Sequence, residues 1–136
     1  MPRKAIYGVQ RVPHNFYCPI PAGTASVEAV TDWVGGFGFI VEAVKAYVAV
    51  AGAGAGATRT FRVLKGASTV VATGTVTLAG TATVGAEIAL TVTAANAEFS
   101  DTDTLTIDWP TAGAVAFTAG ALNLVIVLRE QPQKVR

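Results

Sequence analysis

The chain has 136 residues and a mass of 13.9 kDa, enough for one domain. Hydrophobic residues make up 51% and charged residues 14%, and Ala, Val, Thr and Gly fill 75 of 136 positions. This composition excludes a disordered chain and a coiled coil, and a net charge of +1 argues against a protein that binds nucleic acid by charge alone.

Residues 1–23 are broken by Pro2, Pro13, Pro19 and Pro21 and show no period. They carry Arg3, Lys4 and Arg11 with no acid, and the rings Tyr7, Phe16 and Tyr17. The expected form is an extended arm that packs on something else, the alternative being a lead-in folded along its own domain. No apolar stretch follows the first basic residues, so a signal peptide is not expected. Cys18 is the only cysteine, which rules out an intrachain disulfide. His14, its one potential partner, lies four residues earlier between prolines that oppose a helix, so a buried thiol is expected rather than a nucleophile.

Ser26–Trp33 reads either as a short helix capped by Ser26 or as a strand. Phe39–Val50 fits a helical face through Ile40, Val41, Val44, Tyr47 and Val48. Its β-branched and aromatic content favours a long strand instead. The run Ala51–Ala57 alternates Ala and Gly and is expected to be a flexible strand connection. A phosphate loop would lead into a helix and carry a closing Lys-Ser or Lys-Thr, and this run has neither.

From residue 58 the period is two. Phe61 and Val63 alternate with Thr60 and Arg62, Ile88, Leu90 and Val92 with Ala89, Thr91 and Thr93, and Leu105, Ile107 and Trp109 with Thr104, Thr106 and Asp108. These are half-buried strands with the threonines on the wet face. Val70–Ala72 and Thr75–Leu78 read as two short strands split by a bulge or bend at Gly74. In Ala119–Arg129, one face carries Leu122, Leu124, Ile126 and Leu128 and the other Val125 and Val127, which predicts a central strand covered on both sides. Lys65-Gly66-Ala67-Ser68 and Ala79-Gly80-Thr81 mark turns, and Trp109-Pro110 marks a stop. The fold class is all-β, a single antiparallel sandwich or barrel. The boundaries expected are an arm over 1–23, a β-sandwich domain over 24–130 and a short polar tail over 131–136.

Catalytic parts are scarce. There is one histidine, the three serines lie outside any Gly-x-Ser-x-Gly elbow, and no Cys/His set can bind zinc. Asp101 and Asp103 could attract calcium, but they lack the glycine and distal glutamate of an EF-hand loop, and turn chemistry explains them. No enzyme activity, cofactor or metal is expected. The long uncharged runs Gly66–Ala86 and Trp109–Leu128 are split by turn residues, so a membrane span is not expected either.

The wet faces carry Thr and Ala where a freely soluble monomer would carry Lys and Glu. Much of the exterior is therefore expected to be covered by copies of the chain or by a larger lattice. The charge is also uneven. Residues 1–14 sum to +3 and 129–136 to +2, while 15–128 sum to −4, so basic ends flank an acidic body.

A recurring order of features then stands out. The glycine-rich loop leads into Phe-Arg-Val-Leu-Lys-Gly (Phe61–Gly66), followed by Val-Val-Ala-Thr-Gly-Thr-Val-Thr-Leu (Val70–Leu78). Next come Ala-Asn-Ala-Glu-Phe-Ser-Asp-Thr-Asp-Thr-Leu-Thr-Ile (Ala95–Ile107) and Leu-Asn-Leu-Val-Ile-Val-Leu-Arg (Leu122–Arg129). Over about 80 of 136 residues, this order resembles the small β-sandwich accessory proteins of tailed-phage virions. Where the family form has Gly-Asp, this chain has Thr102-Asp103. The resemblance implies a jelly-roll-like sandwich acting as a capsid decoration, or cement, protein on the outside of the virion. Its partners would be the major capsid protein and itself, as a homotrimer, with no nucleic acid and no membrane. Arg3, Lys4, Arg11, Phe16 and Tyr17 of the arm are the candidate partner-binding residues. The alternative is a tail or head-fibre module recognising host-surface carbohydrate, with Trp33 and Phe37 beside Gly35-Gly36 as the candidate rings.

Overall fold

The computed structural model describes residues 11–23, 25–54, 58–77, 83–111 and 117–131. They form nine strands: β1 (Arg11–Pro19), β2 (Val27–Trp33), β3 (Phe39–Gly54), β4 (Thr58–Lys65), β5 (Thr69–Thr77), β6 (Glu87–Val92), β7 (Glu98–Phe99), β8 (Leu105–Trp109) and β9 (Phe117–Glu130). Among the described residues the one helical piece is a 3-10 turn, Ala94–Asn96, and no helix is long and apolar enough to cross a membrane. The all-β expectation holds, the segment left open resolves as a strand, and the long strand expected after Gly38 is present. Ser26–Trp33 contains β2, and Phe39–Val50 is the body of β3.

Every strand pairing is antiparallel, in the order β1-β9-β3-β6-β5-β4-β8-β2, with β7 beside the start of β3. Leaving aside β7, which stays beside β3, successive strands alternate between a half made of β1, β9, β3 and β6 and a half made of β5, β4, β8 and β2, except at the β4–β5 hairpin. This is the strand order of a jelly roll. β6 joins the halves, pairing with β3 through Glu87–Leu90 and with β5 through Thr91–Val92. At the other side the edge strands β1 and β2 meet through rings. Trp33 stands 5.0 Å from His14 and 5.6 Å from Phe16, centroid to centroid, both edge-on. The sheet thus nearly closes on itself, sealed by aromatic packing where the ladder stops.

Residues 11–19 lie within this sheet, so the boundary expected at 23/24 does not separate an arm from the domain there. Val12, His14, Phe16 and Cys18 alternate inward, opposite Leu128, Ile126, Leu124 and Leu122 of β9. Proline is tolerated because β1 is an edge strand. Residues 1–10, with Arg3 and Lys4, and most of the tail lie outside the described residues.

The core is filled by the inward residues of both halves. Phe39 stacks on Phe99 at 4.7 Å and Phe61 tilts against Trp109 at 5.3 Å, all four fully buried. Each such side chain contributes about 1.5–3 kcal/mol of burial energy. Gly74 has a different role from the bulge expected of it. β5 runs unbroken through it, in register with Phe61. A Cβ at Gly74 would lie 2.5 Å from Phe61 Cζ, so the ring occupies the place of the missing side chain. The β4–β5 hairpin turns at Gly66, whose φ of +67° suits glycine.

Arg59 alternates inward with Phe61 and is 1% exposed. Its two terminal nitrogens donate to the carbonyls of Gly23 (2.7 Å) and Ala25 (2.6 Å), fixing the crossing from β1 to β2. Burial lowers its pKa from the ordinary arginine value, and these two charge-assisted bonds offset that desolvation. The glycine-rich run is in part strand. β3 extends to Gly54 with its register shifting at Val48/Val50, Val50/Ala53 and Ala53/Gly54. Nearby, Gly120 (φ +127°) would set a Cβ 2.7 Å from Ile20 Cδ1 and 3.0 Å from Gly52 Cα, an approach only glycine permits.

Candidate functional site

The register of β1, β9, β3 and β6 places one side-chain set on the outer face of this half. One row is Tyr17, Asn123, Tyr47 and Glu87, and the next is Asn15, Val125, Lys45 and Ala89. A third is Pro13, Val127 and Ala43, and a fourth holds Arg11, Arg129 and Ile40. Tyr17 is 57% exposed, and Val125, Val127 and Tyr47 are half-buried. In the first three rows the charges are confined to Lys45 and Glu87, which lie 3.8 Å apart at the β6 side.

This corrects the expectation for β9. It is central in its half, between β1 and β3, but only its Leu122–Leu128 face meets the core. Val125 and Val127 are shaded by neighbours in the same sheet, and among the described residues no second layer lies over them. β-branched residues fit a strand on either face, so the sequence does not distinguish shading from covering.

The fourth row closes the face with ions. A shift in register between Val41 and Ala43 places Glu42 outward beside Ala43. Its carboxylate bridges two guanidiniums, with Arg11 Nε at 2.5 Å and Arg129 Nε at 2.9 Å. Arg11 is therefore held at the rim of the face, and Tyr17 stands on the face at the other end of β1. Phe16, expected beside them as a partner contact, points inward and packs on Trp33. The alternation of β1 separates it from Tyr17, its neighbour in sequence.

The opposite half has a different exterior. Arg62 donates twice to Asp108, at 2.9 and 2.6 Å, and Thr60 and Thr75 approach within 3.5 Å across β4 and β5. The hydrogen bond to Asp108 raises the Arg62 pKa above its ordinary value. Thr106 and Asp108, expected on a wet face, are buried. They form, with Leu64, the floor of a depression of about 460 Å³ walled by Glu28, Thr31 and Asp32 of β2. β2 bulges twice as it crosses β8, and Asp32, at φ +50°, brings its N–H to within 3.4 Å of the Thr106 hydroxyl.

The remaining chemical candidates are structural in form. Cys18 is buried, its thiol donates to the Phe16 carbonyl at 3.6 Å, and burial pushes its pKa up to about 12. A thiol held protonated in this way is inert as a nucleophile. The Asp103 carboxylate accepts the Ser100 N–H at 2.9 Å, and this bond lowers its pKa from the ordinary value. Among the described residues no group of three His, Cys, Asp or Glu side chains is placed to hold a metal ion. Trp33 and Phe37 both pack on Phe39. Comparison with protein-family models, with curated proteins and with solved structures finds no match for this chain.

Proposed function

We propose that the protein is a non-enzymatic structural component of a tailed-phage virion, a decoration protein that braces the capsid exterior as a homotrimer. The observation that carries this reading is the outer face of β1, β9, β3 and β6. A four-stranded surface of Tyr, Val, Ala, Pro and Asn, whose charges inside the Arg11–Glu42–Arg129 rim are the paired Lys45 and Glu87, solvates weakly and suits burial against a neighbouring copy. The resemblance of Ala51–Arg129 to virion accessory proteins supports the same reading. So does the jelly-roll strand order, which presents a broad sheet face. Many modest contacts repeated by symmetry would then give firm attachment without a single strong site.

The first test is the solution mass by light scattering at several concentrations. A particle of three times 13.9 kDa is the expected result, and a monomer throughout would overturn trimerisation in solution. The basic residues Arg3 and Lys4 are assigned to the shell contact. Removing residues 2–10 leaves β1 whole, so it should abolish co-sedimentation with undecorated heads while the fold is kept. Retained binding would remove the N-terminus from the contact.

A further inference from the structure

A second feature lies at one end of the sheet, away from the open face. There the β2–β3 loop, the β4–β5 hairpin, the β7–β8 turn and the end of β9 enclose a cleft of about 930 Å³. Phe37 lines one wall. It is half-buried and held edge-on against Phe39 at 5.8 Å, so the core fixes the position of its ring. Gly36, at φ +80° with no atom within 4 Å of a Cβ position, leaves the space beside it open.

Of the polar side chains that line the cleft (Lys65, Glu98, Ser100, Asp101, Asp103, Glu130 and Gln131), Lys65, Glu98, Asp103 and Gln131 are each tied at one atom. Lys65 Nζ donates to the Glu98 carbonyl at 3.0 Å, and the Gln131 side-chain amide donates to the Glu98 carboxylate. Gln131 is further anchored by its own N–H on the Gly38 carbonyl at 3.0 Å. A Cβ at Gly38 would lie 3.3 Å from Gln131 Oε1, so glycine there keeps the amide in place. Asp103 is fixed by the Ser100 N–H. By ordinary valence, the ammonium, the amide and the four carboxylates of Glu98, Asp101, Asp103 and Glu130 each retain further hydrogen-bonding capacity.

We propose that this cleft binds carbohydrate, as a short run of hexopyranose units with a C–H face against Phe37. Sugar hydroxyls both donate and accept, which suits a polar groove that offers carboxylate acceptors, the Lys65 and Gln131 donors and one ring. A metal ion fits poorly, since among the described residues no three ligating groups converge. Four carboxylates (Glu98, Asp101, Asp103 and Glu130) share the lining with the Lys65 ammonium, so a polyamine is the rival ligand that the spermine arm of the test decides. This inference is independent of the capsid reading, because a virion surface protein can carry a sugar site and the two are measured separately.

The test is a ¹H–¹⁵N NMR titration of the full chain with chitohexaose, cellohexaose and mannohexaose into the millimolar range, with spermine run alongside. Saturable shifts from at least one sugar, confined to residues 36–38, 65, 98–103 and 130–131, are expected. Gln131→Ala, which leaves the core intact, should weaken that binding roughly tenfold, and Phe37→Ala should weaken it further. The proposal is overturned by no saturable shift with any of the three sugars, by shifts on another surface, by unchanged affinity in Gln131→Ala, or by a response to spermine alone.

Discussion

The two halves of the sheet are built from the same alternating strands, yet their outer faces are finished differently. On β5, β4, β8 and β2 several outward polar groups pair with one another. Arg62 clasps Asp108, Thr60 meets Thr75, and the bulged β2 brings Asp32 onto Thr106. On β1, β9, β3 and β6 the outward groups are mostly apolar or uncharged, and the ions are held at the margins by Glu42 and Glu87. One face is closed by its own hydrogen bonds and the other is left open. Core packing is common to both and cannot explain the contrast, and the proposed function assigns the open face to burial against a neighbouring copy.

The largest effect should come from charging the open face. Tyr17→Glu with Val125→Lys places charges in adjacent rows, where desolvating them against another copy is unfavourable. Light scattering should show the proposed trimer replaced by monomer, while urea unfolding changes by no more than about 1 kcal/mol. The same pair of charges placed at Thr73 and Thr75 on the other half should leave the mass unchanged. A trimer that survives the first pair would make the contrast between the faces irrelevant to assembly.

Next in size is the anchor shared by the two halves. Arg59→Met keeps much of the volume but leaves the Gly23 and Ala25 carbonyls without their donors, and the cost should be about 3 kcal/mol or more in urea unfolding. Gly74→Ala should cost about 1–3 kcal/mol, because Phe61 must move from its place against Trp109. A neutral Gly74→Ala would mean that β5 can bend there after all.

These two residues also show where sequence reading stops. The strands from residue 58 onward were legible because Phe, Val, Leu and Ile alternate with Thr, and that period survives in the structure. Arg59 sits on the inward side of the same alternation, two before Phe61, but a charged side chain reads as wet unless its partners are known, and those are carbonyls 34 and 36 residues away. Gly74 reads as a break because a missing side chain and a space filled by a cross-strand ring look alike in one dimension. β1 was hidden by its prolines, although its inward residues fall at every second position. The open face was written in Val125 and Val127, but whether a sheet face is covered depends on the layer above it, which no single strand encodes.

The smallest effect separates the ion pairs of the two halves. The Arg62–Asp108 contact is bidentate, with the Asp108 side chain 12% exposed, while Glu42 and Arg11 are 32% and 60% exposed. Exposed pairs are screened by salt and spend side-chain entropy, so Glu42→Gln should cost less than about 1 kcal/mol, and less still at high ionic strength. Asp108→Asn removes the charge from a sheltered two-bond clasp and should cost about 1.5–3 kcal/mol with little dependence on salt. Urea unfolding of both variants at low and high salt reads the difference directly. Equal costs with equal salt sensitivity would mean that the Asp108 clasp is as wet as the Glu42 bridge. The closed face would then owe its closure to the bulges of β2 rather than to its ions.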